Sequence, residues 1–205
     1  MTRNAMRNFR VLLWGAVLAT GIWASWFFLL GPGAGPGRPP EAGIALGRGD
    51  YQLTTTTGEA FTQNSLVGQP SLVFFGFTHC PDVCPTTLGD IAGWKDELGL
   101  DGETLPVYFV TVDPERDTVE VLPEYVGWLP GAVGVTGTPE EIARALKAFR
   151  IYAKKVPLQD GDYSMDHTAY VMLFDRAGTF DQIFSYQADP ERVAANLRRA
   201  LRGGS

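Results

Sequence analysis

The side chains best suited to metal or redox chemistry are two cysteines and two histidines, and they occupy only two places in the chain. Cys80 and Cys84 are the only cysteines in 205 residues, and three residues stand between them. His79 adjoins the first cysteine, and His167 lies far along the chain. Thiolate sulfur selects Cu(I), and two thiolates with one imidazole can complete a three-coordinate site. The residue types therefore predict a soft-metal site, a thiol redox site, or both.

The cysteine pair also has other interpretations. Paired cysteines in exported proteins usually cross-link, but a bridge across three residues removes little unfolded-state entropy and would stabilise weakly. Structural zinc usually takes four protein ligands, and beyond Cys80, Cys84 and His167 only one histidine remains to offer. A peroxidase of the peroxiredoxin type needs the pattern Pro-x-x-x-Thr-x-x-Cys, whereas Thr78 precedes Cys80 by only two positions. The peroxidase is therefore the weakest alternative.

The elements that must position these residues alternate between apolar strands and helices. Residues 71–77 lack polar alternation, which predicts a strand buried on both faces directly before the cysteines. Residues 86–98 have helical periodicity, so Cys84 falls in or near a first helical turn, and an i, i+4 spacing on that helix would aim both sulfurs at one ion. The other predicted elements are a hairpin at 50–61, a strand at 106–112, helices at 119–129 and 138–149, a strand at 151–156, a polar loop at 159–166, a hairpin at 168–186 and a helix at 189–201. This order predicts one α/β domain, a thioredoxin-like mixed sheet flanked by helices.

The N-terminal part of the chain has the composition of a membrane anchor. Residues 11–30 are uncharged and mostly apolar, and a helix of that length, about 30 Å, matches the hydrocarbon core of a bilayer. Three arginines precede it, so the positive-inside rule predicts a cytoplasmic segment at 1–10 and export of the remainder. A Gly/Pro-rich linker at 31–40 would join this transmembrane helix to the domain at 41–205. A cleaved signal peptide is the alternative.

The charge of the predicted domain argues against nucleic acid as a partner. Residues 39–205 contain thirteen basic and twenty-three acidic residues, a net charge of −10. Phosphate binding needs a cationic surface, which this composition does not favour. We therefore expect no nucleic-acid function.

Three motifs carry a resemblance to a known family. They are FGFTHCPDVCPTTL at 75–88, VDPERDT at 112–118 and DHT at 166–168. In this order they resemble the Sco/SenC family, which comprises membrane-anchored, thioredoxin-like copper proteins of cytochrome c oxidase assembly. The resemblance covers residues 41–201 and implies copper ligation by Cys80, Cys84 and His167. The two thiolates favour Cu(I), and the sequence leaves open whether Cu(I), Cu(II) or both are physiological.

The resemblance also implies a function and a location. We expect a copper metallochaperone that assists assembly of the binuclear copper site of cytochrome c oxidase subunit II. Its expected partners are that subunit and other copper chaperones or thiol reductants. With the short basic lead and the single anchor, the expected location is the bacterial inner (plasma) membrane, with the domain in the periplasm.

A thiol–disulfide oxidoreductase is the competing function. In that case Cys80 and Cys84 are a redox pair that keeps the cysteines of the copper site, or of another exported protein, reduced. Thioredoxins usually have two residues between their cysteines, whereas this chain has three. The spacing therefore favours the copper function without excluding the other.

Residues next to the ligands have weaker predictions. We expect His79 to be exposed and not to bind metal, and Met165 to pack in its loop rather than act as a soft ligand. Asp166 either orients His167 or begins a turn. The charged residues in 113–117 either order the loop that faces the site or pair with one another in solvent.

Overall fold

The structure is a computed structural model of the chain and describes residues 13–21, 23, 25, 45–159 and 161–203. The chain divides into two units, Met1–Ala42 and Gly43–Ser205. In the first unit, the described residues are helical and exposed. None of the described helices is both long and apolar enough to cross a membrane. The segments 1–10 and 31–40, and part of the anchor at 11–30, lie outside the described residues, so all three stay predictions.

The described part of the second unit contains strands, α-helices and one short 3-10 helix. The strands are β1 (Leu53–Thr55), β2 (Ala60–Phe61), β3 (Ser71–Gly76), β4 (Val107–Thr111), β5 (Ala132–Thr136), β6 (Ala153–Pro157), β7 (Tyr163–His167), β8 (Tyr170–Phe174) and β9 (Phe180–Ser185). The α-helices are α1 (Val83–Leu98), α2 (Leu122–Val126), α3 (Pro139–Phe149) and α4 (Pro190–Leu201), and the 3-10 helix is Gln63–Leu66.

Seven strands form one mixed sheet in the order β2-β1-β5-β4-β3-β8-β9. The pairs β3–β4 and β4–β5 are parallel, and the others are antiparallel. Every residue of β3 is buried, as expected for a strand covered on both faces. The central strand therefore leads directly to the cysteines.

Helices cover both faces of this sheet. Phe74 and Phe75 are neighbours on β3, so their side chains project from opposite faces. Phe75 contacts Phe149 of α3, with ring centroids 5.1 Å apart. On the other face, Phe184 of β9 lies in register with Phe74 across the intervening strand β8. Its ring centroid is 5.5 Å from that of Trp94 of α1, and α1 packs against α4. This is the predicted thioredoxin-like α/β arrangement.

Local capping residues determine where two helices begin. The Thr138 side chain accepts a hydrogen bond from the Glu141 amide, and Pro139 stands in the first turn of α3. Asp189 accepts from the Glu191 amide at the start of α4. Both starts agree with the sequence, because capping residues act on the helix that directly follows them.

Two predicted helix boundaries are wrong. The helix α1 begins at Val83 rather than at residue 86, so Cys80 lies in the turn before the helix and not on it. The helix α2 covers only Leu122–Val126 instead of 119–129. Pro123 stands in its first turn, where a proline is tolerated, so it begins this helix rather than interrupting a longer one.

Two strands were missed. The strand β5 has Gly134 at its centre, which weakens a strand pattern; a Cβ there would lie 2.7 Å from the Cβ of Leu122. The predicted polar loop at 159–166 contains most of β7, which forms a separate two-stranded sheet with β6. The strand β7 is partly or fully exposed along its length, so it lacks the apolar alternation that predicts a strand.

Candidate metal centre

Cys80, Cys84 and His167 meet where β3 leaves the sheet. Their ligand atoms all lie within 4.8 Å of one another. The Sγ of Cys84 is 3.6 Å from the Nε2 of His167. Cys84 is buried, whereas Cys80 and His167 are partly exposed. The structure thus brings together the three side chains that the sequence predicts, in a group that could hold one metal ion.

The two sulfurs approach each other through a turn, not through a shared helix face. Cys80 lies three residues before α1, and its amide donates to the carbonyl of Phe77 at 3.2 Å. Cys84 stands in the first turn of α1, where backbone amides have no partner within the helix. Its amide donates to the Sγ of Cys80 at 3.3 Å. The predicted i, i+4 geometry on a helix is therefore wrong, and the helix start instead supplies a hydrogen bond to the first sulfur.

The two thiols differ in acidity. The side-chain hydrogen bond with Cys84 lowers the pKa of Cys80 to about 4, and contacts with His167 and with the amides of Cys84 and Asp82 act in the same direction. The same hydrogen bond raises the pKa of Cys84, and burial raises it further. The metal-free pair therefore holds a thiolate at Cys80 and a proton at Cys84, and a metal bound to both sulfurs must release that proton.

The imidazole of His167 is oriented by the backbone. Its Nδ1 lies 3.0 Å from the carbonyl oxygen of Thr168, so Nδ1–H donates to that oxygen and Nε2 is turned towards Cys84. Phe77 meets the ring edge-on, with centroids 5.6 Å apart. Asp166 is exposed and is adjacent on the strand, so its side chain projects from the other face of β7. The Thr168 carbonyl, and not Asp166, orients the ring.

Gly76 has a role at the site that sequence reasoning missed. It is the last residue of β3, and a Cβ there would lie 2.9 Å from the Sγ of Cys84 and 2.7 Å from Phe109. Real Cβ contacts are essentially never that short. The only available signal was a glycine between two phenylalanines at the end of an otherwise bulky strand. Glycine is needed here because the ring of Phe109 and the sulfur of Cys84 together occupy the space of a side chain.

The turn that carries Cys80 is attached to the end of β4 by Asp117. We call this turn the cysteine turn. Asp117 is fully buried. One carboxylate oxygen accepts from the Thr78 hydroxyl at 2.6 Å, and the other accepts from the Thr78 amide at 3.0 Å and the Thr111 hydroxyl at 2.6 Å. Of the two predictions for 113–117, ordering of the site loop is the one that this contact supports.

Of the two remaining neighbours, His79 is exposed as predicted, whereas Met165 lies on β7 and not in the predicted loop. His79 is exposed, with its Nδ1 3.0 Å from the Thr78 hydroxyl. Met165 is partly buried and packs against the core. The imidazole of His79 does not belong to the group of converging ligand atoms.

The chain is similar to proteins of one family. The SCO1/SenC family model matches residues 40–202. The structure of ScoI from Bradyrhizobium japonicum with copper bound is 46% identical, covers 76% of this chain and 99% of its own, and superposes with a TM-score of 0.69. The human mitochondrial protein SCO1 homolog is 39% identical over 170 residues, which are 80% of this chain and 56% of the human protein.

A bacterial relative and the relative lengths complete the comparison. The SCO2-like protein of Rickettsia felis is 34% identical over 171 residues, which are 82% of each chain. In contrast, this chain spans about half the length of its curated relatives from Danio rerio, Arabidopsis thaliana and Homo sapiens, between 49% and 58%. The similarity to these longer proteins therefore concerns the domain and not their whole length.

Proposed function

The chain belongs to the SCO1/SenC family, and from this premise we propose that it is a copper metallochaperone. The observation that carries the proposal is the convergence of Cys80, Cys84 and His167, whose ligand atoms lie within 4.8 Å of one another. A relative that is 46% identical has been solved with copper bound. The copper ion is the cargo of the protein, held for delivery and not for catalysis.

Two thiolates and one imidazole would hold the ion. The sulfurs of Cys80 and Cys84 are soft ligands that favour Cu(I), and imidazole also suits Cu(II). Cys80 is already deprotonated near neutral pH because of its lowered pKa, whereas Cys84 must lose a proton on binding. Copper uptake is therefore expected to release a proton and to become tighter as pH rises.

Release would proceed by ligand exchange from the side of Cys80. This sulfur is partly exposed, whereas the sulfur of Cys84 is buried. An incoming thiolate can therefore reach the ion beside Cys80 while Cys84 and His167 still hold it. Family membership suggests the acceptor, the binuclear copper site of cytochrome c oxidase subunit II, and other copper chaperones or thiol reductants as suppliers. The location we propose is the bacterial inner membrane, with the domain in the periplasm.

A delivery experiment tests this function. The copper-loaded full chain is mixed with the reduced, metal-free copper domain of subunit II. The domain is then oxidised by one electron with added ferricyanide, because two Cu(I) ions do not absorb visible light, and the absorption of the binuclear copper site is measured. We expect the wild type to form that site and the His167→Ala variant, which should not hold copper stably, to fail. Transfer that is equally effective from His167→Ala would contradict the proposal.

A thiol–disulfide oxidoreductase remains the second candidate, because the two thiols are unequal in acidity and exposure. The partly exposed Cys80 thiolate would attack a partner disulfide and form a mixed disulfide, and the first partner sulfur would leave as a thiol. Cys84 would then lose its proton and attack Cys80. The Cys80–Cys84 disulfide forms and the second partner thiol is released, so two electrons pass to the partner. His167→Ala should leave this exchange largely intact.

A further inference from the structure

One face of β7 lies against the body of the domain. Side chains alternate along a strand, so Tyr163, Met165 and His167 share a face. Met165 packs against the core, and His167 meets Phe77 and Cys84. Among the strands of the described residues, β7 pairs only with β6, in a separate two-stranded sheet, and such a hairpin is marginally stable by itself. What Tyr163 contacts therefore matters for the position of the whole strand.

Tyr163 is held by the segment that follows β4. Its hydroxyl donates to Asp113 at 2.8 Å, and its carbonyl accepts from Arg116 at 3.0 Å. The guanidinium of Arg116 lies over the Tyr163 ring, 3.8 Å from the centroid, and its Nε donates to Asp113 at 2.5 Å. Asp113 is buried and the side chain of Arg116 is 17% exposed. We name Asp113, Arg116 and Tyr163 the hairpin contact.

The more exposed charges beside the hairpin contact are less able to fix the position of β7. Lys155 of β6 lies over the Tyr163 ring at 4.4 Å and pairs with Glu115 at 2.6 Å. Both side chains are largely exposed, at 44% and 58%, and exposed pairs contribute little to stability. The buried carboxylate of Asp113 and the nearly buried guanidinium are the groups that can fix the strand.

We propose that the segment 113–117 fastens the two halves of the metal centre separately. Asp117 holds the cysteine turn through Thr78, and Arg116 with Asp113 holds the histidine strand through Tyr163. Arg116 and Tyr163 are thus positioning residues for His167 and act on copper affinity through that ligand alone. The inference rests on the proposed copper function, because it assigns a cause to the strength of the same site.

Tyr163 can position His167 because both residues lie on the same strand, whose register determines which way each side chain points. A slip of one residue along β7 would turn His167 to the opposite face and away from Cys84. Loss of the hairpin contact releases the Tyr163 end of β7 from the segment 113–117, so the imidazole is held less firmly at the distance that the sulfurs require. The cysteine turn has its own attachment and should not move.

A double-mutant cycle on the full chain tests the inference. Cu(I) affinity is measured by competition with a chromophoric chelator for the wild type, Tyr163→Phe, Arg116→Gln and His167→Ala, and for each positioning variant combined with His167→Ala. We expect Tyr163→Phe and Arg116→Gln to bind copper about tenfold more weakly, the usual scale for groups that orient a metal ligand. The two sulfurs that remain in His167→Ala still give a weak Cu(I) affinity that competition can measure, although this variant loses its copper on isolation. In that background the positioning variants should have no further effect, because the ligand that they position is absent.

A second measurement separates positioning from general damage. The protection of the Thr78 amide from hydrogen exchange should be the same in Tyr163→Phe and the wild type, since this amide donates to Asp117, which attaches the cysteine turn. Arg199→Gln, which removes a remote Arg–Asp pair, is the control and should change neither quantity. If Arg116→Gln does not fold, Tyr163→Phe alone completes the cycle, because it keeps the ring and removes one hydroxyl.

Three results would count against these ideas, in distinguishable ways. An unchanged affinity in Tyr163→Phe overturns the role of the hairpin contact. An equal loss with and without His167 overturns it too, because the effect would not act through that ligand. A wild type that binds no copper overturns the proposed function itself.

Discussion

At the scale of single residues, Cys80 and Cys84 are chemically unequal although they are identical in type. Cys80 accepts hydrogen bonds and is partly exposed, so it is the thiolate, whereas Cys84 is buried and keeps its proton. The sequence predicted that both would lie at one ion but not this difference, because acidity depends on which amides point at which sulfur. That information appears only once the turn before α1 is known.

The acidity of Cys80 predicts the pH dependence of its alkylation. In the reduced, metal-free chain, iodoacetamide should modify Cys80 at a rate that is nearly constant from about pH 6 to pH 9. The rate should fall only as pH drops towards the pKa of about 4, where the thiolate is protonated. Mass spectrometry of quenched samples gives the rate and the modified residue.

The Cys84→Ala variant is the control for this measurement. It removes the hydrogen bond that lowers the pKa of Cys80 most, so the alkylation rate should now rise with pH towards about 8.5, the ordinary pKa of a thiol. A wild-type rate that itself keeps rising up to that pH would show that Cys80 is an ordinary thiol.

Gly76 predicts a second effect at this scale. The substitution Gly76→Ala places a Cβ 2.9 Å from the Sγ of Cys84. We expect the free energy of unfolding to fall by about 1–3 kcal/mol, as for other overpacked sites, and copper affinity to fall with it. Urea denaturation of the metal-free chain measures the first effect, and chelator competition the second.

A glycine on α1 provides the matched control. Gly89 has no heavy atom within 4 Å of an added Cβ, and alanine is the better helix former by about 0.5–1 kcal/mol. Gly89→Ala should therefore stabilise the chain and leave copper binding unchanged. If Gly76→Ala were equally harmless, Cys84 would not need the space that we assign to it.

At the scale of elements, strands and caps with local signals could be predicted and those with distant partners could not. β3 was recognisable from its continuous apolar run, and α3 from Thr138 and Pro139 at its start. β7 was not, because its polar residues form a strand only against β6 and the segment 113–117. His167 was thus expected at the right site but on a loop instead of a strand.

The attachment of the cysteine turn predicts the effect of Asp117→Asn. The amide removes a buried charge that accepts from Thr78 and Thr111, and its NH2 group would face these same donors. We expect the free energy of unfolding to fall by about 1.5–3 kcal/mol, the range for hydrogen bonds to charged groups. The reduction potential of the cysteine pair should shift as well, and the Thr78 amide should lose protection from hydrogen exchange, which Tyr163→Phe should leave unchanged.

Asp189→Asn is the comparison for this change. Asp189 caps α4 at an exposed position, and asparagine caps helices about as well as aspartate. Stability should change little. Equal and small effects in both variants would mean that Asp117 does not hold the turn.

At the scale of the whole molecule, the predicted anchor and the metal domain belong to different parts of the chain. The domain unit carries the three converging ligands, and the segment 11–30 carries the uncharged run that predicts a membrane span. Composition alone favoured an acidic domain without a nucleic-acid partner. The prediction of copper as cargo depended on the three ligand residues, and the prediction of an oxidase target depended on the family resemblance.

The anchor predicts the fractionation of the expressed chain. In a Gram-negative host, the full chain should stay with the membrane after an alkaline carbonate wash, since a helix of twenty apolar residues spans the bilayer. The domain should be digested by protease added to spheroplasts, because we propose that it lies in the periplasm. A chain that is released by the wash, or one that is protected in intact spheroplasts, would contradict this topology.

The measurement that tests the three-ligand site most directly is the copper content of the full chain, reduced and loaded without oxygen, with X-ray absorption to identify the ligands. We expect one copper per chain with two sulfur ligands and one nitrogen ligand in the wild type, and no stably bound copper in Cys80→Ala, Cys84→Ala or His167→Ala. A full complement of copper with unchanged ligands in His167→Ala would contradict the site. A wild type without copper whose cysteines cycle readily between dithiol and disulfide would instead support the oxidoreductase.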